Sequence, residues 1–242
     1  PRGDPGLEHS PEQNLPYIPP RGVFTASRIT FSFSDLEQGP LSLWPTAGFA
    51  SQASLRFSLP QLGSSQLNYD LTYVLRGYMP IVEVLGHVLA LRLSGGYAGG
   101  REGDVEPFTL GGVPQQDLIA ALINQTHAAA VYLRGFSINA FTGTSYHQGT
   151  AEYRLPLVRL RSGLDTLPLF ARDLSLAVFS DVALVHDGQW GPDTLEHIHG
   201  GVGAELRFSA DIPVSQRIQL RLGYAFGLGP YGLHHVYVLL AP

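Results

Sequence analysis

Arg134 is the residue of this sequence best placed for directed chemistry. It stands between Leu133 and Gly135-Phe136, inside a stretch, residues 99–149, where the strand pattern found on either side lapses. All fifteen positive charges of the chain are arginine. A guanidinium is permanently charged, planar and forked, so it can pair a carboxylate at two points while lying on an aromatic face. The chemistry on offer is electrostatic anchoring of a long loop, not bond making.

Other candidate groups carry less. His186, His197, His199, His234 and His235 invite a metal reading, because His197 and His199 would share one strand face with Glu196 opposite. Loop and interface positions account for these histidines as well, and no metal is expected. The pairs Gly95-Gly96, Gly99-Gly100 and Gly111-Gly112 do not follow a strand and open a helix as a phosphate loop must. Asp187-Gly188 and Gly191-Pro192, around Trp190, are turn chemistry. No nucleophile, base and orienting group stand together, which argues against an enzyme, and no cofactor is implied. With no cysteine there is neither a disulfide framework nor a thiolate metal site.

The elements that must position Arg134 read as strands. Ile29, Phe31 and Phe33 alternate with Arg28, Thr30 and Ser32; Ala53, Leu55 and Phe57 with Ser54, Arg56 and Ser58; Leu67, Tyr69, Leu71, Tyr73 and Leu75 with Asn68, Asp70, Thr72 and Arg76. Leu89, Leu91 and Leu93 follow against Val88, Ala90 and Arg92. After the long stretch come Tyr153, Leu155 and Leu157 against Glu152 and Arg154, then a segment over 174–185 that is apolar on both sides except Ser175, Ser180 and Asp181. Val202, Ala204, Leu206 and Phe208 then alternate with Glu205, Arg207 and Ser209, and Ile218, Leu220, Leu222, Tyr224 and Phe226 with Arg217, Gln219 and Arg221, before a short last strand over 235–240. This period of two is the strand signal, and it predicts about nine strands, several at the roughly 9 to 11 residues of a tilted membrane-crossing strand.

Between them, residues 99–148 form a loop far longer than the ~12 to 15 residues usual within a compact domain. Leu118-Ile-Ala-Ala-Leu-Ile123 and Ala128-Ala-Ala-Val131 within it predict a short helix over 115–132. Residues 1–21, with six prolines, read as a tether or loop. The remaining organisation is four strands over 22–98 and five over 149–242.

Composition narrows the class. Charged residues are 14% and the net charge is −5, without a basic stripe, so a nucleic-acid partner is not expected. No apolar run reaches the ~18 to 20 residues of a spanning helix, and residues 1–21 lack the basic start and apolar core of a signal peptide. The chain is therefore read as a mature product or a fragment, and if it meets a membrane it must do so as a barrel. Alternation alone fits either a soluble sandwich with its apolar face inward or a membrane barrel with that face on lipid. Aromatics near strand ends (Tyr69, Tyr73, Tyr78, Tyr97, Tyr224, Phe226) and the alternation of short turns with long connections favour the barrel.

Five pieces then stand in order: Gly95-Gly-Tyr-Ala98, Phe108-Thr-Leu-Gly-Gly112, Leu133-Arg-Gly-Phe136, Ala151-Glu-Tyr-Arg-Leu-Pro-Leu157 and Phe179-Ser-Asp-Val-Ala183. Together they resemble, over residues 44–240, the C-terminal barrel of the BamA superfamily, the bacterial surface antigen family of outer-membrane assembly and translocation proteins. The resemblance implies an all-β, antiparallel transmembrane barrel in which the nine strands match the last nine of sixteen, with the long loop folded into the lumen. By the matching motifs it implies that Arg134, with Gly135 and Phe136, docks on Glu152, Phe179 and Asp181 of the inner wall. Phe179 and Asp181, two apart, do point to one side of a strand. The wall motif departs from the family in ending at Ala183 where glycine is usual, and the chain ends Tyr237-Val-Leu-Leu-Ala-Pro242 where an aromatic is common.

The implied role is insertion or translocation of proteins, or movement of lipid, at the bacterial outer membrane. The expected partners are outer-membrane lipid, client or passenger outer-membrane proteins, and missing barrel strands and periplasmic domains in the same protein or a partner chain. A passive barrel serving as anchor or pore is the alternative; a soluble β-protein binding a ligand is the third reading.

Overall fold

The computed structural model describes residues 22–39, 42, 44–101, 103–113, 132–164, 167–187, 197–212 and 216–241. The tether over 1–21 and, apart from Tyr132, the helix expected over 115–132 lie outside them.

The strands, in order, are β1 (Ser27–Glu37), β2 (Ala47–Ser58), β3 (Asn68–Val82), β4 (His87–Gly100), β5 (Phe108–Leu110), β6 (Phe141–Gly143), β7 (Ser145–Leu164), β8 (Leu167–His186), β9 (Ile198–Ile212), β10 (Gln216–Leu228) and β11 (His234–Ala241). Nine of them form one sheet in the order β1-β2-β3-β4-β7-β8-β9-β10-β11, and β5 pairs with β6 apart from it. Every ladder is antiparallel. Strands β7 and β8 each run for 20 residues, longer than alternation alone suggests, because Pro156 and the neighbouring register shifts are carried as bulges instead of ending the pairing.

The two faces of this sheet decide between the environments that alternation left open. Leu71, Leu93, Val178, Val182 and Leu222 are 44 to 48% exposed on the outer face. Asp181, Glu205, Glu152 and Arg207, on the inner face, are 0 to 5% exposed. Charged groups buried inward and leucines turned outward are the reverse of a soluble sandwich and the pattern of a barrel whose exterior solvent is lipid.

The core lies between the inner wall and the loop. Residues 101–144 connect β4 to β7, and within them β5 pairs with β6. From this segment Leu110, Leu133 and Phe136, each 0% exposed, pack against Tyr146, Ala183 and Val185 of β7 and β8, with Phe108, Ala140 and Phe141 at the margin. Burying such side chains is worth about 1.5 to 3 kcal/mol each at most. The loop is thus part of the hydrophobic interior. Its first turn is tied down as well: Asp104 accepts the Leu67 amide at 2.9 Å and, through its carbonyl, the Asn68 side chain at 2.7 Å.

The register sets three rows of inward residues across the wall. Thr150, Asp181, Gly201 and Gly227 stand opposite one another, as do Glu152, Phe179, Gly203 and Ala225, and Ala177, Glu205, Gly223 and Tyr237. Each row places a charged or aromatic group beside small residues. A large side chain from elsewhere can lie flat in that relief.

Candidate functional site

The relief is occupied by Leu133-Arg-Gly-Phe136. Glycine leaves a strand weaker and without side-chain contacts, so a cluster of glycines on one face marks close approach of another backbone. A Cβ at Gly201 would lie 2.2 Å from the carbonyl oxygen of Arg134, and one at Gly227 would lie 2.2 Å from that of Gly135. Gly135 itself has φ +92°, a conformation that favours glycine, and a Cβ there would meet the Gly227 nitrogen at 2.3 Å. The Leu233 amide donates to the Gly135 carbonyl at 2.8 Å, and the Gly112 amide to that of Phe136 at 3.1 Å.

With the backbone held so, the Arg134 side chain meets four wall groups. Its Nε and Nη2 donate to Asp181 Oδ2 and Oδ1 at 2.7 and 2.8 Å, and Nη1 donates to Glu205 Oε1 at 3.1 Å. The guanidinium carbon lies 3.3 Å from the centroid of the Phe179 ring. Glu152 Oε2 is more distant, at 3.7 Å from Nη1. Burial alone would disfavour the charge on Arg134, but the hydrogen bonds and opposite charge of Asp181 outweigh it and raise its pKa above the usual arginine value.

Glu152 has nearer partners. Arg207 Nη1 and Nη2 donate to its two oxygens at 2.8 and 2.7 Å, and Arg154 donates to it from two residues along the same strand. Arg207 also donates through Nε to Glu205 at 2.8 Å. The result is a continuous chain from Asp181 through Arg134, Glu205 and Arg207 to Glu152 and Arg154. Charge-assisted, two-point bonds of this kind are the strong ones, and every member is paired, as buried charges require.

Several of these residues were not singled out by motif. Glu205 and Arg207 sit on the polar face of a recognisable strand but outside the matching pieces. Tyr237, on β11, donates its hydroxyl to Glu205 at 2.7 Å. Tyr132 accepts from Arg92 through its hydroxyl at 3.2 Å and from Gln148 through its carbonyl at 2.6 Å, which ties the stem of the loop to β4 and β7. The available signal was the run of glycines, Gly201, Gly203, Gly223 and Gly227, on faces otherwise polar. Of the histidines considered, His199 stacks on Phe141 at 3.7 Å and meets the edge of Phe136, and His234 stacks on Phe226 at 4.6 Å and shares a hydrogen bond with Tyr224.

An antiparallel wall with lipid-type residues outside, paired charges inside and its own loop seated against it defines a membrane β-barrel protein. The sequence model of the Omp85 superfamily domain matches residues 25–229. This chain belongs to the Omp85 superfamily and is a protein of the bacterial outer membrane. Among solved structures it is similar to BamA from Haemophilus ducreyi lacking POTRA domains 1–3, with a TM-score of 0.58 at 18% identity. The match covers 88% of this chain and 42% of that one, so the chain spans less than half the length of this relative. A comparison with curated protein sequences finds no match.

Proposed function

We propose that this chain is the C-terminal part of a BamA-type barrel that assists the insertion or translocation of proteins, or of lipid, at the outer membrane, and that docking of Arg134 on the inner wall is one of its two working states. The observation that carries the reading is that a buried ionic network takes one of its members from a loop. Buried ion pairs are weak devices for stability, since apolar residues of similar volume often do as well or better. They are well suited to fixing one arrangement of a segment that can adopt another. A passive anchor has no need of such an element.

The sheet also requires company. Among the described residues β1 and β11 each have one edge without a ladder partner, and lipid does not tolerate unpaired backbone groups. Because nine strands alternate in direction, β1 and β11 run the same way. Joining them directly would be parallel, whereas an odd number of further strands closes an antiparallel barrel of even count. We assign those strands, and periplasmic domains, to the same protein or to a partner chain.

The test is insertion of an unfolded outer-membrane client into liposomes carrying the whole protein. Wild type accelerates insertion over liposomes that hold an inert barrel, and Arg134→Ala abolishes most of the gain. Equal rates for wild type and the inert barrel would sink the proposal.

A further inference from the structure

The last strand of the sheet is bound to the loop as well as to its neighbour. β11 is the shortest of the nine sheet strands, at 8 residues, and among the described residues it pairs only with β10. Val236, Val238 and Leu240 are 54 to 83% exposed on its outer face, so its side-chain anchorage lies on the lumenal side. There Tyr237 lies opposite Gly223, and Gly223 lies opposite Glu205 on β9. The tyrosine ring fills the place a β10 side chain would take: a Cβ at Gly223 would be 2.2 Å from it. Crossing one strand in this way, the Tyr237 hydroxyl donates to Glu205 Oε1 at 2.7 Å. That same oxygen accepts from Arg134 Nη1 at 3.1 Å.

Two further contacts join the hairpin to the loop. The Leu233 amide, just before β11, donates to the Gly135 carbonyl at 2.8 Å. Val113, from the descending part of the loop, packs with Leu239 against the buried cluster of Phe179, Ala225 and Tyr237. One edge strand is therefore held to the loop by a shared carboxylate oxygen, a backbone hydrogen bond and an apolar contact. Groups that share partners in this way couple energetically, and the coupling is reciprocal.

We propose that Tyr237 is a positioning residue that makes β11 part of the docking site, so that release of the loop loosens the last strand from β10 and loosening the last strand releases the loop. The inference rests on the docked-loop reading above and adds the regulation of that site. It predicts that the sheet edge at β11 becomes available only after Arg134 has left the wall.

Amide hydrogen exchange of the whole protein in nanodiscs tests it from both sides. Tyr237→Phe keeps the ring over Gly223 and removes only the hydroxyl; exchange is expected to rise roughly tenfold in the loop peptide over 132–137, which lies on a different element, as well as in β11. Gly135→Ala does not touch Tyr237, but its Cβ would press on the Gly227 backbone; the expected result is roughly tenfold faster exchange over 235–241, with β2 and β3 unchanged. Faster loop exchange in Gly135→Ala with β11 unaltered overturns the coupling while leaving the docked loop intact as an idea. No change in the loop peptide for Arg134→Ala, Gly135→Ala and Tyr237→Phe alike would overturn both.

Discussion

Arg134 and Asp181 meet at two points, Nε to Oδ2 at 2.7 Å and Nη2 to Oδ1 at 2.8 Å, although 47 residues separate them in the chain. Asp181 is 0% exposed and Arg134 2%. A loop that ends on a buried carboxylate can leave only if that carboxylate is hydrated or paired anew. Breaking this pair is therefore a substantial part of the cost of undocking.

Arg134→Ala is expected to weaken loop docking by about 3 to 5 kcal/mol, the usual cost of stranding one partner of a buried pair. Limited proteolysis checks it: cleavage within residues 101–144 accelerates while the heat-modifiable mobility of the folded sheet is retained. Arg134→Lys is expected to recover only part of the loss, because an ammonium cannot make the two-point bond.

Gly201→Ala should undock the loop without altering any charge, since its Cβ would stand 2.2 Å from the Arg134 carbonyl oxygen. Gly149→Ala is the matched control, with nothing within 4 Å of its new methyl group. Proteolysis of the loop is expected to be fast in the first variant and as in wild type in the second.

Glu205 and Glu152 make a discriminating pair. Glu205 serves Arg134, Arg207 and Tyr237 at once, whereas Glu152 is held chiefly by Arg207 and Arg154. Glu205→Gln is therefore expected to cost loop docking about 1.5 to 3 kcal/mol and Glu152→Gln well under that. A double-mutant cycle of each with Arg134→Ala measures the two couplings directly.

The outward face gives a prediction of another kind. Val178, 48% exposed in the middle of β8, faces lipid if the sheet spans the membrane. Val178→Arg is then expected to cost roughly 2 to 4 kcal/mol in folding into bilayers, measured by urea titration in liposomes. A value within about 0.5 kcal/mol of wild type, as for an ordinary surface position, would mean that water covers that face.

The strands were legible because each carries two chemically distinct faces, and β3, β9 and β10 read cleanly from alternation. β8 was harder: Ala177 and Ala183 on its inner face are small, so the segment looked apolar on both sides until its register placed Ala183 against the loop and Ala177 beside Glu205. Arg134 drew notice by its place in an over-long connection, and Phe179 and Asp181 by the resemblance, with which their spacing agrees. Glu205 and Tyr237 belong to strands that join the site only through tertiary register, across Gly223, and no local pattern announces such a row. Nor does sequence spacing tell that Glu152 would be engaged by Arg207 more closely than by the loop.

Loop and wall together set three guanidinium groups, Arg134, Arg154 and Arg207, against three carboxylates, Glu152, Asp181 and Glu205. Only Arg134 comes from the loop. Its withdrawal would take one positive charge from this network and leave Asp181 without its two-point partner. Acidic side chains in a lumen favour cations, so departure of the loop would leave the inner wall more attractive to cations than it is with the loop docked.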